Sequence, residues 1–362
     1  MKKDIGIDEK RLRDSGSQRV RPRIKDIARY AGVSYSTAAR VLSRNNDYSI
    51  SDKMRRRVLD VAREHSYSTD PFARYMRKQR SHIIGICGVM PRTSADGVPS
   101  YRTELNRRVA GIHASPYSTD YNLMLLLRDE EDPDLLTRLT QGVDYMDGLL
   151  YVSPTRKQQP LLKNLAKRVP IVIEDAQGLD DFCSVSVDQY GAVESATRLL
   201  VNRGCKRLAI LTHHGVEYYY NRTRVEAFRK ASAAVGMAVD TDQIVHNYQG
   251  RHGARSAALK LLGARQRIDG LIAPRDEELL GILQAIEEAG LTLGKDIRLI
   301  SVNETELSRH MKPGISVVRF PAEQVAREAF DLLVSMIEGQ VLGIENILVP
   351  ASIVERQSTV GS

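Results

Sequence analysis

A chain of 362 residues with 42% apolar content can bury more than one core, and its length corresponds to two or three domains. No stretch has the length and apolarity of a membrane span, and Met1 to Arg23 lacks the apolar block of a signal peptide or anchor, so a cytoplasmic protein is expected. The net charge of +8 is unevenly placed: residues 1–80 hold 21 Lys and Arg against 10 Asp and Glu, and the remainder holds 32 against 35. A basic head on a nearly neutral body is the charge distribution of a nucleic-acid-binding protein.

Residues 1–23 carry charge, Ser and Gly without apolar periodicity, which predicts a disordered basic extension. From Ile24 the pattern changes. Ile24, Ile27, Ala28 and Ala31 fall at the spacing of one buried helical stripe, and Gly32 permits the left-handed turn that ends it. Ser34 is placed to cap a second helix that buries Ala38, Val41 and Leu42 and turns Tyr35, Ser36, Ala39 and Arg40 outward. A helix-turn-helix of this kind lays its second helix in the major groove, where Arg40 suits a guanine and Tyr35 and Ser36 suit neighbouring base edges. An ordinary helical hairpin would share the spacing, and the charge of the next segment separates the two readings. There Ser51 is expected to cap a third helix that buries Met54, Val58, Val61, Ala62 and His65, with Arg55, Arg56, Arg57 and Arg63 on a face suited to phosphates. Asp70 to Arg77 reads as two further helical turns capped by Asp70, and Lys78 to Ser81 as linker.

Beyond Ser81, strand and helix patterns alternate. Expected strands are 83–89, 121–127, 147–152, 170–174, 184–187, 207–212, 243–246, 270–273 and 298–302. Amphipathic helical patterns separate most of them, at 104–114, 132–142, 161–168, 190–203, 224–235, 251–262 and 277–289, with a last one at 322–338. This alternation implies parallel sheets covered by helices, and the strand count favours two similar lobes with a cleft at the carboxyl ends of the strands. Cys87, Cys183 and Cys205 lie far apart in apolar surroundings and read as buried thiols. His213 and His214 follow a strand, but no third ligand stands at a metal spacing, so neither a metal nor another cofactor is expected. A glycine-rich phosphate loop and an activated nucleophile are also missing, which argues against an enzyme, while the basic head argues against a transport receptor.

Specific motifs then carry a resemblance. Ile24-Lys25-Asp26-Ile27-Ala28 runs into Ala31-Gly32-Val33-Ser34, followed by Arg40-Val41-Leu42, Ser51, Arg55, Val58, Tyr67, and Ala73 with Met76. In the body come Val187-Asp188 with Gly191-Ala192, Arg224 with Phe228, Asp269-Gly270-Leu271-Ile272 leading to Asp276, and Gly281 with Gly290. Over residues 24 to about 358 the chain resembles the LacI/GalR family of bacterial transcriptional regulators. The resemblance implies an N-terminal all-α helix-turn-helix head with a hinge helix, followed by a two-lobed α/β body like a periplasmic binding protein. The corresponding segments are a head at 24–69, a hinge and linker at 70–81, and a body at 82–358. Within the body the N-lobe takes 82–187 and 320–346, and the C-lobe takes 188–319 and 347–358.

It also implies a homodimer, a palindromic DNA operator and a small effector, most often a sugar. Carried over by position, Tyr35, Ser36 and Arg40 become base-reading residues. Ser34 and Thr37 face phosphate, joining Arg56 and Arg57 of the basic face of the third helix, and Ala73 and Met76 lie at the minor-groove hinge, where Met76 replaces a customary leucine. Effector positions fall on Tyr101, Ser153, Asp175, Arg224, Tyr248, Arg275, Asp276 and Asn303. Side chains with several hydrogen-bonding groups suit a polyhydroxylated ligand, though Arg224 and Arg275 equally suit an anionic one such as a sugar phosphate, or an ordinary ion pair. Tyr218, Tyr219 and Tyr220 could rim the pocket or pack a loop on a helix. The chain departs from the family pattern at Ala38, Ala39, Met54 and Asp70, so its operator preference is its own.

Overall fold

A computed structural model describes residues 22–42, 50–65, 67, 80–89, 101–128, 135–213, 215–247, 250–274 and 276–360. The chain divides into two compact units, Met1–Ser81 and His82–Ser362.

In the first unit, helix α1 (Ile24–Ala31) ends at Gly32, whose φ of 64° is the left-handed conformation the turn needs. The Val33 amide then donates back to the Ala28 carbonyl at 3.0 Å. Helices α2 (Tyr35–Leu42) and α3 (Asp52–Glu64) pack on α1 around Ile27, Ala28, Ala31, Ala38, Val41, Val58 and Ala62. Three expectations fail here. Met54 is 42% exposed, because the core of three short helices closes over Val58 and Ala62 before it reaches the first turn of α3. Ser51 precedes α3 but its side chain makes no capping hydrogen bond. His65, expected inside, is exposed and stacks on Tyr30 with ring centroids 4.4 Å apart. The hinge positions Asp70, Ala73 and Met76 lie outside the described residues.

The second unit contains two parallel sheets covered by helices. In the N-lobe, strands β1 (Ile83–Val89), β2 (Asn122–Arg128), β3 (Gly148–Val152), β4 (Ile171–Glu174), β5 (Ser184–Val187) and β11 (Asn346–Val349) are ordered β11-β5-β4-β3-β1-β2. Helices α4 (Tyr101–His113) and α12 (Ala322–Ile337) cover one face, and α5 (Leu135–Val143) and α6 (Gln159–Leu165) the other. The C-lobe sheet, ordered β12-β10-β9-β8-β6-β7, contains β6 (Leu208–His213), β7 (Ile244–Asn247), β8 (Gly270–Ala273), β9 (Arg298–Val302), β10 (Ser316–Arg319) and the antiparallel β12 (Ser352–Val354). Its faces are covered by α7 (Gln189–Asn202) with α8 (Tyr219–Ala234), and by α9 (Gly250–Gly263) with α10 (Asp276–Glu288).

Strand residues on both faces are apolar because each face meets helices. Along β6, Leu208 and Ile210 enter the core under α7 and α8, whereas Ala209 and Leu211 enter the core under α9 and α10. Short helices α11 (Glu306–His310) and α13 (Gln357–Val360) complete the C-lobe. The strand expected at 243–246 begins one residue later, after a 3₁₀ turn at Thr241–Gln243.

The chain passes between lobes at Asp188, at Phe320–Pro321 and at Pro350–Ala351. The last crossing corrects the expected boundary of 346/347. Asn346 to Val349 pair in parallel with Ser184 to Val187 and therefore belong to the N-lobe. Phe320 and Ala351 each pack against both cores, which makes the crossing segments part of the packing. All three cysteines are buried, and burial, reinforced by the Asp269 charge, pushes the Cys205 thiol up to about 11. Among the described residues no helix is long and apolar enough to cross a membrane, and no group of His, Cys, Asp and Glu could hold a metal ion.

Candidate functional site

On α2 the buried Ala38 and Val41 occupy one side of the helix, and Tyr35, Ser36 and Arg40 are exposed on the other. The separation follows from 100° per residue: positions 35, 36 and 40 span a sector of about 140° that excludes 38 and 41. Ser34 caps the helix, its hydroxyl accepting the Thr37 amide at 3.1 Å and bonding the hydroxyls of Thr37 at 2.8 Å and Ser36 at 2.9 Å. Three hydroxyls thus gather at the helix start, where exposed amide dipoles also favour an anion. Arg56 and Arg57 are exposed on α3. The Arg57 guanidinium lies over the turn: a Cβ added to Gly32 would sit 3.2 Å from its Nη2.

In the body, three of the expected effector positions share an unusual backbone. Ser153, Asp175 and Asn303 adopt φ values of 48°, 57° and 76°, and each is the residue that follows a strand, β3, β4 and β9 respectively. Their amides still complete the sheet ladder. Ser153 donates to the Glu174 carbonyl at 2.9 Å, Asp175 to that of Val185 at 3.3 Å, and Asn303 to that of Val318 at 2.8 Å. Each chain therefore stays paired to the sheet's last rung and then turns sharply, which fixes a short polar side chain at the carboxyl end of the strand. A left-handed residue other than glycine costs about 1 kcal/mol or more, so this geometry is held against its own backbone preference.

Arg224, on α8, donates from Nε to Gln189 Oε1 at 2.8 Å and lies over the rings of Tyr220 and Phe320, 5.0 and 5.6 Å from their centroids. Its position is thus tied to the start of α7 and to the crossing at Phe320. The three consecutive tyrosines divide their roles. Tyr219 is buried in the N-lobe core beside Leu162 and Phe182, Tyr218 bridges to Thr155, and Tyr220 stacks under Arg224. Arg156 also donates its amide to the Glu217 carbonyl at 2.9 Å, so residues 217–220 of the C-lobe are docked onto the N-lobe.

Tyr248 and Arg275 lie outside the described residues. Tyr101 and Asp276 open α4 and α10, and their side chains also lie outside what is described. Sequence reasoning missed Gln177, Gln189 and Phe320 beside Arg224, and the buried ion pair of Arg108 with Glu174 under α4. Only Gln189 carried a signal, as the residue next to the Val187-Asp188 motif.

Residues 23–70 match the family model described as bacterial regulatory proteins, lacI family, and residues 197–359 match that of the periplasmic binding protein-like domain. The chain belongs to the LacI family of bacterial regulators. As a LacI-family protein it is a DNA-binding transcriptional regulator and not an enzyme. The ribose operon repressor of Escherichia coli (strain K12) is 26% identical over 340 residues, covering 92% of this chain and 99% of that protein. The fold matches a crystal structure of the Lac repressor dimer bound to operator and the anti-inducer ONPF, with a TM-score of 0.80 at 20% identity over 94% of this chain and 99% of that one. The complex of the transcriptional regulator CelR with cellobiose matches with a TM-score of 0.68 at 21% identity, over 93% of this chain and all of the other.

Proposed function

We propose that this LacI-family regulator is a repressor that binds a palindromic operator as a homodimer and is controlled by a sugar held between its two lobes. The observation that carries the reading is the strand-end set Ser153, Asp175 and Asn303, short polar residues fixed in left-handed geometry in both sheets. Rigidly presented acceptors and donors suit hydroxyl groups, whose hydrogen bonds are directional. Arg224, steadied by Gln189 and two rings, supplies a planar donor in the same region. Tyr101 and Asp276 belong to the proposed site by their positions at the starts of α4 and α10, and Tyr248 and Arg275 by the resemblance to the family. Relatives point the same way, since one is named for a ribose operon and one was solved with cellobiose.

For DNA, Tyr35, Ser36 and Arg40 are the proposed base readers, with Ser34, Thr37, Arg56 and Arg57 on phosphates and Ala73 and Met76 at the hinge. Edge strand β2, which exposes Leu123, Met124 and Leu125, supports a second copy covering that edge. The test selects short duplexes from random sequence and measures mobility shifts with and without a panel of sugars and sugar phosphates. A specific site whose affinity responds to a sugar supports the reading. A site that responds only to sugar phosphates replaces the ligand class, and the absence of any specific site overturns the proposal.

A further inference from the structure

Capping of α7 crosses the boundary between the lobes. The first amides of a helix have no acceptor inside it and must find one elsewhere. In α7 the amides of Gln189 and Tyr190 both donate to Oε1 of Gln177, at 2.9 and 3.2 Å. Gly191 donates to Asp188 Oδ1 at 2.9 Å, and Ala192 to the Asp188 carbonyl at 3.0 Å. Gln177 lies in the N-lobe, between β4 and β5, whereas α7 belongs to the C-lobe. Its other groups span the same boundary. Nε2 donates to Asp188 Oδ1 at 3.2 Å, and the Gln177 carbonyl accepts the hydroxyl of Thr223, on α8, at 3.2 Å.

The loop that carries Gln177 is itself fixed in the N-lobe. The Ala176 amide donates to the buried Ser186 hydroxyl at 3.0 Å, and the Leu179 amide to the Ala176 carbonyl at 2.8 Å. Gln177 therefore acts from a rigid base.

We infer that Gln177 is a positioning residue that sets the angle between the lobes by supplying the acceptor for the first two amides of α7. A rotation that separates α7 and α8 from this loop must remove the acceptor from two amides together, and leaves the Thr223 hydroxyl only the Tyr219 carbonyl of its own helix, which it also reaches at 3.2 Å. Loss of several hydrogen bonds at once makes the lobe arrangement two-state rather than graded. The latch stands two residues from Asp175 and holds the residue before Arg224, so a ligand that contacts either one acts directly on it. The inference concerns lobe geometry and stands whichever ligand the cleft takes.

The test uses the full chain with spin labels at Lys167→Cys in the N-lobe and Arg229→Cys in the C-lobe, mixed with excess unlabelled chain. Both positions are exposed and the three native cysteines are buried. Electron–electron distance distributions and hydrogen exchange are recorded for wild type, Gln177→Ala and Thr223→Val. The expected result for Gln177→Ala is about tenfold faster exchange at the start of α7, with unchanged exchange in β1 and β9 and a second, longer interlobe distance. Thr223→Val, which removes the hydroxyl shared between the Gln177 and Tyr219 carbonyls and keeps side-chain volume, should shift the distances in the same direction by less, and it carries the test if Gln177→Ala fails to fold. Distances that superimpose on wild type in the folded variants would overturn the inference even with faster exchange, since Gln177 would then be only a cap.

Discussion

Glu304 accepts both arms of Arg319, Nε on Oε2 at 2.8 Å and Nη2 on Oε1 at 3.2 Å. Arg309 adds a bond at 3.0 Å, and Arg356 donates to Oε1 as well. The carboxylate is almost wholly buried, beside Asn303 at the end of β9, while Arg319 directly precedes the crossing at Phe320. This one side chain therefore joins a proposed ligand position to the return path of the chain.

The first prediction concerns acid. Burial by itself pushes the Glu304 carboxyl up, but hydrogen bonds from Arg319, Arg356 and Arg309 outweigh it and bring the group down from 4.5 to about 2. A folded value below the unfolded one means that the stabilisation is complete above pH 4.5 and is lost as pH falls toward 2. A shift of this size corresponds to about 3 kcal/mol. Thermal melts of the wild type should fall through this window, and Glu304→Gln should melt lower at neutral pH with a flatter acid slope. An unchanged acid slope would show that Glu304 does not carry the effect.

The second prediction concerns α4. Arg108 donates from Nε to Glu174 Oε2 at 2.6 Å, with side-chain exposures of 10% and 1%. Replacing a buried ion pair as a whole by apolar groups is often tolerated, whereas removing one partner is costly. Arg108→Met should thus destabilise the body by about 3 kcal/mol or more, and Arg108→Met with Glu174→Met should recover much of that. Urea unfolding of the single and double variants checks the order, and a double variant no more stable than the single would contradict it.

What was legible in the sequence follows from what repeats. Strands buried on both faces must be apolar throughout, so β1, β3, β8 and β9 announced themselves, and the helix-turn-helix followed from a stripe interrupted at Gly32. Other features depend on partners that no local pattern reveals. Gln177 and the amides it caps are 12 and 13 residues apart in sequence and sit in different lobes. Left-handed Ser153, Asp175 and Asn303 were singled out by resemblance, yet their residue types occur in ordinary loops, and the strained backbone emerges only when the sheet ends are built. Met54 misled because helical spacing predicts a side, whereas exposure depends on how far a small core extends along it.

Gly281 shows the same gap from the other direction, since its position was noticeable in sequence while its reason was not. On α10, a Cβ at this residue would stand 2.1 Å from the Arg251 carbonyl oxygen and 3.0 Å from the Arg255 amide of α9. Backbone atoms in a helix cannot yield as a flexible side chain can. Gly281→Ala should therefore force α9 and α10 apart, despite alanine's better helix propensity, and cost about 1–3 kcal/mol. Chemical denaturation would reveal it, and a stability gain would mean that the helices do not cross this closely.

In the head, two arginines should fail in different ways on the operator selected from random sequence. Arg40 is exposed on the base-reading sector of α2, where a guanidinium matches two acceptors of guanine, so Arg40→Ala should cost about 1–3 kcal/mol and relax the preference at one base pair per half-site. Arg56, exposed on α3, has no such sector and is proposed to meet phosphate. Arg56→Ala should weaken all sequences nearly alike and lower the slope of log affinity against log salt by about 1 per half-site. Binding titrations over a range of salt concentrations, on the selected site and on single-base variants, separate the two behaviours. The assignment of both residues fails if Arg40→Ala leaves base preference intact while Arg56→Ala alters it, because phosphate contacts carry no sequence information and base contacts must.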